Sequence, residues 1–392
     1  MLEVFKKKIR HHSLTGRITP KVMLKAFKAV KRNRGAAGID KQSIKMFESN
    51  LLENLTALMT ELKSGEYVAF PLKRVFIPKG PGKFRPLGIP AVRCRIAQEV
   101  VRSLINPIFD PLFHDHSHGF RTKRSCHTAM ELVVKYRSEG YRYVLDADIK
   151  GFFDNIPHSL IMDLITREIS DGNILGLIRK FLQAGVMEDG MVKPTRKGTP
   201  QGGIVSPLIA NIVLNHLDWR LEAHGYKFVR YADDFLVFCK SKPQAEKALE
   251  IVTEIIEDDL GLNLSPEKTH ISTFGSGFDF LGFYVSAFTI RMGGKAEERF
   301  KGKIKDITCR SHNLDANLVL DLNRVIRGTV RYFSAAFTTG LGRFNALDQF
   351  IRRRIRCMRY KRIWMTDNSR FLNKHIWNRG FITCRDVYLS AS

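Results

Sequence analysis

A chain of 392 residues with 44% hydrophobic and 10% aromatic content can fill two or three packed units, which excludes a disordered tail. Its 64 Lys plus Arg outweigh 39 Asp plus Glu for a net charge of +25, which points to a polyanion, nucleic acid first, with a solubilising surface or an anionic membrane face as rival readings. Six cysteines, none within four residues of another, exclude a Cys-x-x-Cys zinc pair, and no apolar run approaches membrane-spanning length, so a soluble cytoplasmic protein with reduced thiols is expected.

Along the chain, apolar Val22, Met23, Ala26, Phe27 and Val30 recur at helical spacing behind Thr19-Pro20, and Gly35 stops the pattern. Lys79 and Arg85 flank Gly80, Pro81 and Gly82, a turn able to fold basic side chains over a triphosphate or simply to stand in solvent. Strands are expected at Tyr143–Ile149, Tyr226–Tyr231 and Phe235–Cys239, the last two forming a hairpin with Ala232-Asp233-Asp234 at its tip. A helix carrying Ala248, Leu249, Val252, Ile255, Ile256 and Leu260 follows and ends at Gly261. Residues 291–392 hold 22 Lys plus Arg against 8 Asp plus Glu, and their pattern is almost wholly helical, so a boundary is expected near 285–295.

Asp146 and Asp148 alternate with Leu145, Ala147 and Ile149, which places both acids on one face of their strand. The hairpin tip adds Asp233 and Asp234. An Asp pair at a tip is by itself ordinary turn chemistry, but acids gathered at strand ends repel one another unless a cation lies between them. Hard oxygen ligands suit Mg²⁺, and two such ions activate a hydroxyl and steady a leaving pyrophosphate.

Tyr231-Ala232-Asp233-Asp234 resembles the Tyr-x-Asp-Asp box of reverse transcriptases, and Asp146-Ala147-Asp148-Ile149-Lys150-Gly151-Phe152-Phe153-Asp154 resembles their first palm motif as group II intron enzymes write it. Gly198-Thr199-Pro200-Gln201-Gly202-Gly203-Ile204-Val205-Ser206-Pro207-Leu208 is similar to a further motif of that branch. In the family's order come Asn33–Asp40, Ile77-Pro78-Lys79 with Arg85–Pro90, Gly119-Phe120-Arg121, Leu264–Thr269, Phe280–Phe283, and Leu322-Asn323 with Arg327-Gly328 and Tyr332-Phe333. Ordered blocks over roughly 19–365 are far more specific than any one of them.

The resemblance implies an α+β right-hand polymerase: residues 1–70 as N-terminal extension and start of the fingers, 71–288 as fingers and palm with an antiparallel sheet and helices, and 289–392 as an α-helical thumb or maturase X domain. It implies a two-metal RNA-directed DNA polymerase using two Mg²⁺, with Mn²⁺ serving in vitro. Asp148, Asp233, Asp234 and the Ile149 carbonyl would hold metal, and Lys268 would protonate pyrophosphate unless it is only a solvated Lys. Lys79, Arg85, Ile149, Phe153 and Gln201 would meet the dNTP, with Phe153 excluding a 2′-hydroxyl unless it is a core Phe. Arg121, Phe280, Leu281 and Gly282 would hold primer or template, the Phe280–Phe283 block being as readable as core packing. Arg352, Arg353, Arg356 and Arg359 would form an outward cationic ridge on a helix packed through Ile351, Ile355 and Met358.

The partners so implied are an RNA template, a DNA primer, dNTPs and intron RNA, with no membrane, in a monomer or dimer. The alternatives are a related polymerase recruited to DNA repair or phage defence, and a mainly RNA-binding splicing maturase, which would have lost the acids. Many such enzymes carry a DNA-binding segment and an endonuclease after the thumb, and residues 366–392 are too few to hold one, so an endonuclease-lacking form is expected.

Overall fold

Thr19 accepts a hydrogen bond from the Val22 amide (3.4 Å) and Pro20 fills the first turn, and the two start helix α1 (Pro20–Arg32), which ends short of Gly35. The structure, a computed structural model, describes residues 10–80, 82–200, 202–362, 364 and 366–391. Helix α1 buries Met23, Ala26, Phe27 and Val30 and is followed by α2 (Ile44–Ser49) and α3 (Leu51–Ser64). Strands β1 (Leu72–Gly80) and β2 (Lys83–Ile89) make a long antiparallel hairpin whose register pairs Ile77 with Arg85. Helices α4 (Val92–Phe109) and α5 (Cys126–Ser138) lead into β3 (Tyr143–Ala147). The latter stops short of the expected Ile149, which instead forms an isolated antiparallel bridge with Leu264 as the Lys150 amide donates to the Asn263 carbonyl and the Ser265 amide to the Asp148 carbonyl.

Next come α6 (Phe152–Asn155), α7 (His158–Thr166), α8 (Gly172–Leu182), β4 (Val186–Glu188), β5 (Met191–Lys193) and α9 (Ser206–Ala223). Helix α9 is apolar nearly all round and is buried accordingly. Strands β6 (Lys227–Tyr231) and β7 (Asp234–Cys239) form the expected hairpin and bury Phe228, Val229, Phe235, Leu236, Val237 and Phe238 almost completely, at roughly 1.5–3 kcal/mol per such side chain. Helix α10 (Lys242–Glu254) continues through a π-turn over Ile255–Asp259 before Gly261. Strand β8 (His270–Thr273) completes a sheet in the order β6-β7-β3-β8, while β2-β1-β4-β5 form another.

Contacts divide the chain into two compact units, one running to Leu132 and resuming over Leu145–Ile271, the other made of Val133–Val144 and residues from Ser272 on. The second unit holds the antiparallel strands β9 (Phe278–Phe280), β10 (Phe283–Val285) and β11 (Ile290–Met292). It continues as helices α11 (Gly294–Ile307), α12 (Ala316–Phe333), α13 (Leu341–Tyr360), α14 (Asp367–Arg370), α15 (Asn373–Trp377) and α16 (Cys384–Ala391). The fold class is α+β, as the sequence pattern implies. All six cysteines are free thiols, and among the described residues no helix is long and apolar enough to cross a membrane.

Candidate active site

The tip between β6 and β7 is a two-residue turn, since Tyr231 pairs with Asp234, and Ala232 takes a left-handed φ of +59° to make it. A non-glycine residue holds that conformation only when its surroundings insist. Here the backbone of Gly119 lies so close that an added Cβ would stand 2.3 Å from the Ala232 nitrogen. From below, Arg230 Nη1 donates to the Ala232 carbonyl (2.9 Å). The Arg230 guanidinium is wholly buried and also meets both Asp218 oxygens (2.7 and 2.5 Å) and Asn211 Oδ1 (2.9 Å). Asn211 in turn donates to the Gly119 carbonyl (2.8 Å). Sequence reasoning missed this network, although Arg230 on a buried strand and Asp218 on an apolar helix were legible as charges that burial would oblige to pair.

Asp148 stands just past β3, with its amide donating to Thr269 Oγ1 (3.3 Å) and Lys268 Nζ at 2.8 Å from its Oδ2. That bond raises the Lys268 pKa. Asp146 lies 3.9 Å from His270, and burial pushes its carboxyl up to about 6 against the pull of that histidine. Burial also raises Asp233 and carries Asp234 to about 6, and the neighbouring carboxylates Asp233, Asp148 and Asp146 add to the rise at Asp234. Four acids thus share one field. The bonds flanking Ile149 use the Asp148 carbonyl and the Lys150 amide, and neither uses the Ile149 carbonyl.

An all-oxygen donor set in which the Asp148 carboxylate adds to the raised pKa values of Asp146, Asp233 and Asp234 fits Mg²⁺. Among the described residues no three side chains already converge as a ligand group, and the cation met by Asp148 is the Lys268 ammonium.

Asp233 also borders a cavity of about 590 Å³ that is lined by Phe153, Arg85, Gly202, Phe120 and Arg32. The two adjacent phenylalanines of α6 separate cleanly: Phe152 is 2% exposed, while Phe153 crosses it edge-on (5.3 Å between centroids) and faces the cavity. Gly202 sits at φ +110°, and an added Cβ would meet the Gly88 carbonyl oxygen at 2.2 Å, so this wall admits no side chain. Gln98 accepts from the Ile204 amide (2.7 Å) and Ser206 Oγ donates to the Pro200 carbonyl (3.0 Å), which fixes the same loop to α4 and α9. Gln201 and the Lys79 side chain lie outside the described residues. Arg32, Asn33 and Phe120 also line the cavity, and their exposure to it could be found only from the fold.

Several expectations need correction. Arg121 is not available to nucleic acid: its side chain is 8% exposed and donates to the Asp110 carboxylate and carbonyl and to the carbonyls of His114 and Ser117. Phe280 and Phe283 are core residues, Phe283 stacking on Tyr332 and meeting Phe333 and Phe337 edge-on, so of this block the Leu281-Gly282 turn, held by Tyr332 Oη on the Leu281 carbonyl (2.9 Å), is left to meet a ligand.

The cationic ridge is also narrower than its sequence implies. Arg356 binds the Phe371 carbonyl (2.9 Å) and Asn373 (2.7 Å), whereas Arg352, Arg353 and Arg359 have no hydrogen bond or ion pair among the described residues, Arg359 lying 4.4 Å over the Phe371 ring and Arg353 5.9 Å from that of Phe350.

Residues 77–285 match the family model for reverse transcriptase (RNA-dependent DNA polymerase), and residues 297–377 match the maturase-specific domain of group II introns. Protein YkfC of Escherichia coli (strain K12) is 33% identical over 303 residues, which are 67% of this chain and 80% of that protein. The group II intron-encoded protein LtrA of Lactococcus lactis subsp. cremoris is 32% identical over 352 residues, 72% of this chain and 58% of LtrA, so the chain spans little more than half of that relative. A solved telomerase from Candida albicans in complex with a telomeric RNA fragment aligns over 83% of this chain and 65% of its own, at 13% identity and a TM-score of 0.47.

Proposed function

The chain belongs to the group II intron branch of the reverse transcriptase family, and on that premise we propose that it extends a DNA primer along an RNA template and also binds intron RNA. One observation carries the polymerase reading: the hairpin carboxylate Asp233, the Phe153 ring and the tight Gly202 turn border a single cavity. A binder without chemistry has no need of four acids held in one field at strand ends, where each raises the cost of ionising the next.

Asp148 and Asp233, with the Ile149 carbonyl, would hold two Mg²⁺ or, in vitro, Mn²⁺, and Asp234 is the neighbouring carboxylate that supports them. When bound, the ions supply the Lewis acidity that activates a primer 3′-hydroxyl and steadies the leaving pyrophosphate. The chain's own groups do the rest. Lys268 Nζ, whose pKa is raised beside Asp148, stays protonated at neutral pH and can give its proton to a pyrophosphate oxygen.

Arg85 offers a fork to the triphosphate, with Lys79 and Gln201 as its expected companions. Phe153, on the cavity wall, would lie beneath the incoming sugar and exclude a 2′-hydroxyl. The Leu281-Gly282 turn would meet the primer end, and Arg352 and Arg353 would meet phosphates of RNA. Primer extension tests the whole reading: purified protein given an annealed RNA template and DNA primer, dNTPs and Mg²⁺ should lengthen the primer, and a folded protein that does not would refute it.

A further inference from the structure

The second unit contains a cavity of about 690 Å³ bordered by α13, by Arg362, Trp364, Asp367, Asn368, Leu372 and Asn373, and by Lys301 of α11. Most of its charges are already matched within the protein. Lys301 pairs with Glu297, Arg356 is bound to Phe371 and Asn373, and Arg362 is bound to Asp367 (3.0 Å). Asp367 is 1% exposed, and its amide donates to the Trp364 carbonyl (3.2 Å). This buried acid therefore anchors a rim on which Trp364, with Arg362 5.6 Å over its ring, remains 62% exposed. A large aromatic held out on an anchored backbone leaves apolar area in water that a ligand could cover. Arg352 and Arg353 line the same cavity without a hydrogen bond or ion pair among the described residues, and Phe350 lies beside them, 5.9 Å from Arg353.

Two uncommitted guanidinium forks, an exposed indole and a concave wall are the ingredients for one unstacked nucleotide. Duplex presents phosphates on a convex surface and keeps its bases covered, so it can use the arginines but not the indole. We propose that this cavity takes an unpaired nucleotide of a single-stranded RNA segment, its base stacked on Trp364 and its phosphate held by Arg352 and Arg353. The inference rests on the RNA-binding part of the function above and adds what that RNA must offer: a bulge, loop or end.

Equilibrium binding of the full chain to a labelled single-stranded RNA, and to the same RNA annealed into duplex, decides the matter. Trp364→Ala should weaken the single strand roughly tenfold and leave duplex within about twofold, with Trp364→Phe restoring most of the loss. Arg352→Gln with Arg353→Gln should reduce the slope of log affinity against log salt by about one to two units, which Trp364→Ala should not. Equal losses for single strand and duplex, or no loss in a variant whose melting temperature is unchanged, would overturn the proposal. So would displacement of the RNA by millimolar ATP, which would make the ligand a free nucleotide. Primer extension by Trp364→Ala on a pre-annealed template and primer should persist. Failure of the wild-type chain in that assay sinks the polymerase reading alone, while failure of the binding comparison sinks only this one.

Discussion

The guanidinium of Arg230 and the carboxylate of Asp218 meet at 2.5 and 2.7 Å with neither side chain exposed at all, and the same guanidinium holds the Ala232 carbonyl beneath the Asp233 turn. A pair so placed costs much to desolvate and costs more to break. Asp218→Asn or Arg230→Met should therefore destabilise the chain by roughly 3–5 kcal/mol in urea melts. The double change Asp218→Leu with Arg230→Met should regain much of that stability yet stay deficient in primer extension, because the donor to Ala232 is gone. Full activity in the stabilised double variant would show that the turn needs no such support.

Replacing Asp233 and Asp234 together with Asn should abolish Mg²⁺-dependent extension while RNA affinity stays within a few-fold. The oxygen ligands are lost, whereas affinity comes mainly from phosphate contacts elsewhere. Polymerisation at the parental rate would remove these residues from the site.

The neighbours Phe152 and Phe153 should respond oppositely to truncation. Phe152→Ala empties a core position and should cost about 3–5 kcal/mol. Phe153→Ala opens the cavity wall, so it should raise ribonucleotide over deoxynucleotide incorporation in single-nucleotide extension at little cost in stability. Unchanged sugar discrimination would return Phe153 to a packing role.

Acid should destabilise the first unit through the half-buried His116 and the buried His118. Burial, the largest cause, lowers His116 and His118 to about 4, with nearby charges such as Arg124 at His118 adding to it. An unfolded His titrates near 6.5, so between about 6.5 and 4 the unfolded chain binds the more protons. The stability these neutral rings contribute is thus complete above about 6.5 and lost as pH falls toward 4. Melting temperature measured down that range should drop, and His118→Gln should flatten the drop; an identical pH profile would exclude the ring as a source.

Much of the site was legible because its chemistry is local in sequence. Asp146 on β3 and Asp148 one residue past its end are two positions apart, a hairpin tip presents Asp233 and Asp234, and a glycine-rich turn admits close backbone, all within spans of a few residues. The start of the first helix was legible for the same reason, Thr19 accepting from an amide three residues on, and the structure shows the same cap at Ser241 and Asp315.

What residue type and spacing could not reveal is where each long cation spends its donors. Arg121 and Arg352 look alike in the sequence, but Arg121 lies against carbonyls of its own loop while Arg352 borders an open cavity. Phe280, readable from its motif either as a primer contact or as core, is packed in the core, while Phe120, for which the sequence suggested no role, is 57% exposed at the cavity. The sequence by itself determined the family and the fold class and pointed to the candidate acids, since each reading follows from patterns that neighbouring residues impose. Only the tertiary structure decided which charges remain uncommitted, because satisfying a carbonyl or carboxylate depends on segments apart in the chain, such as the Asp218 carboxylate beneath Arg230 and the Phe371 carbonyl bound by Arg356.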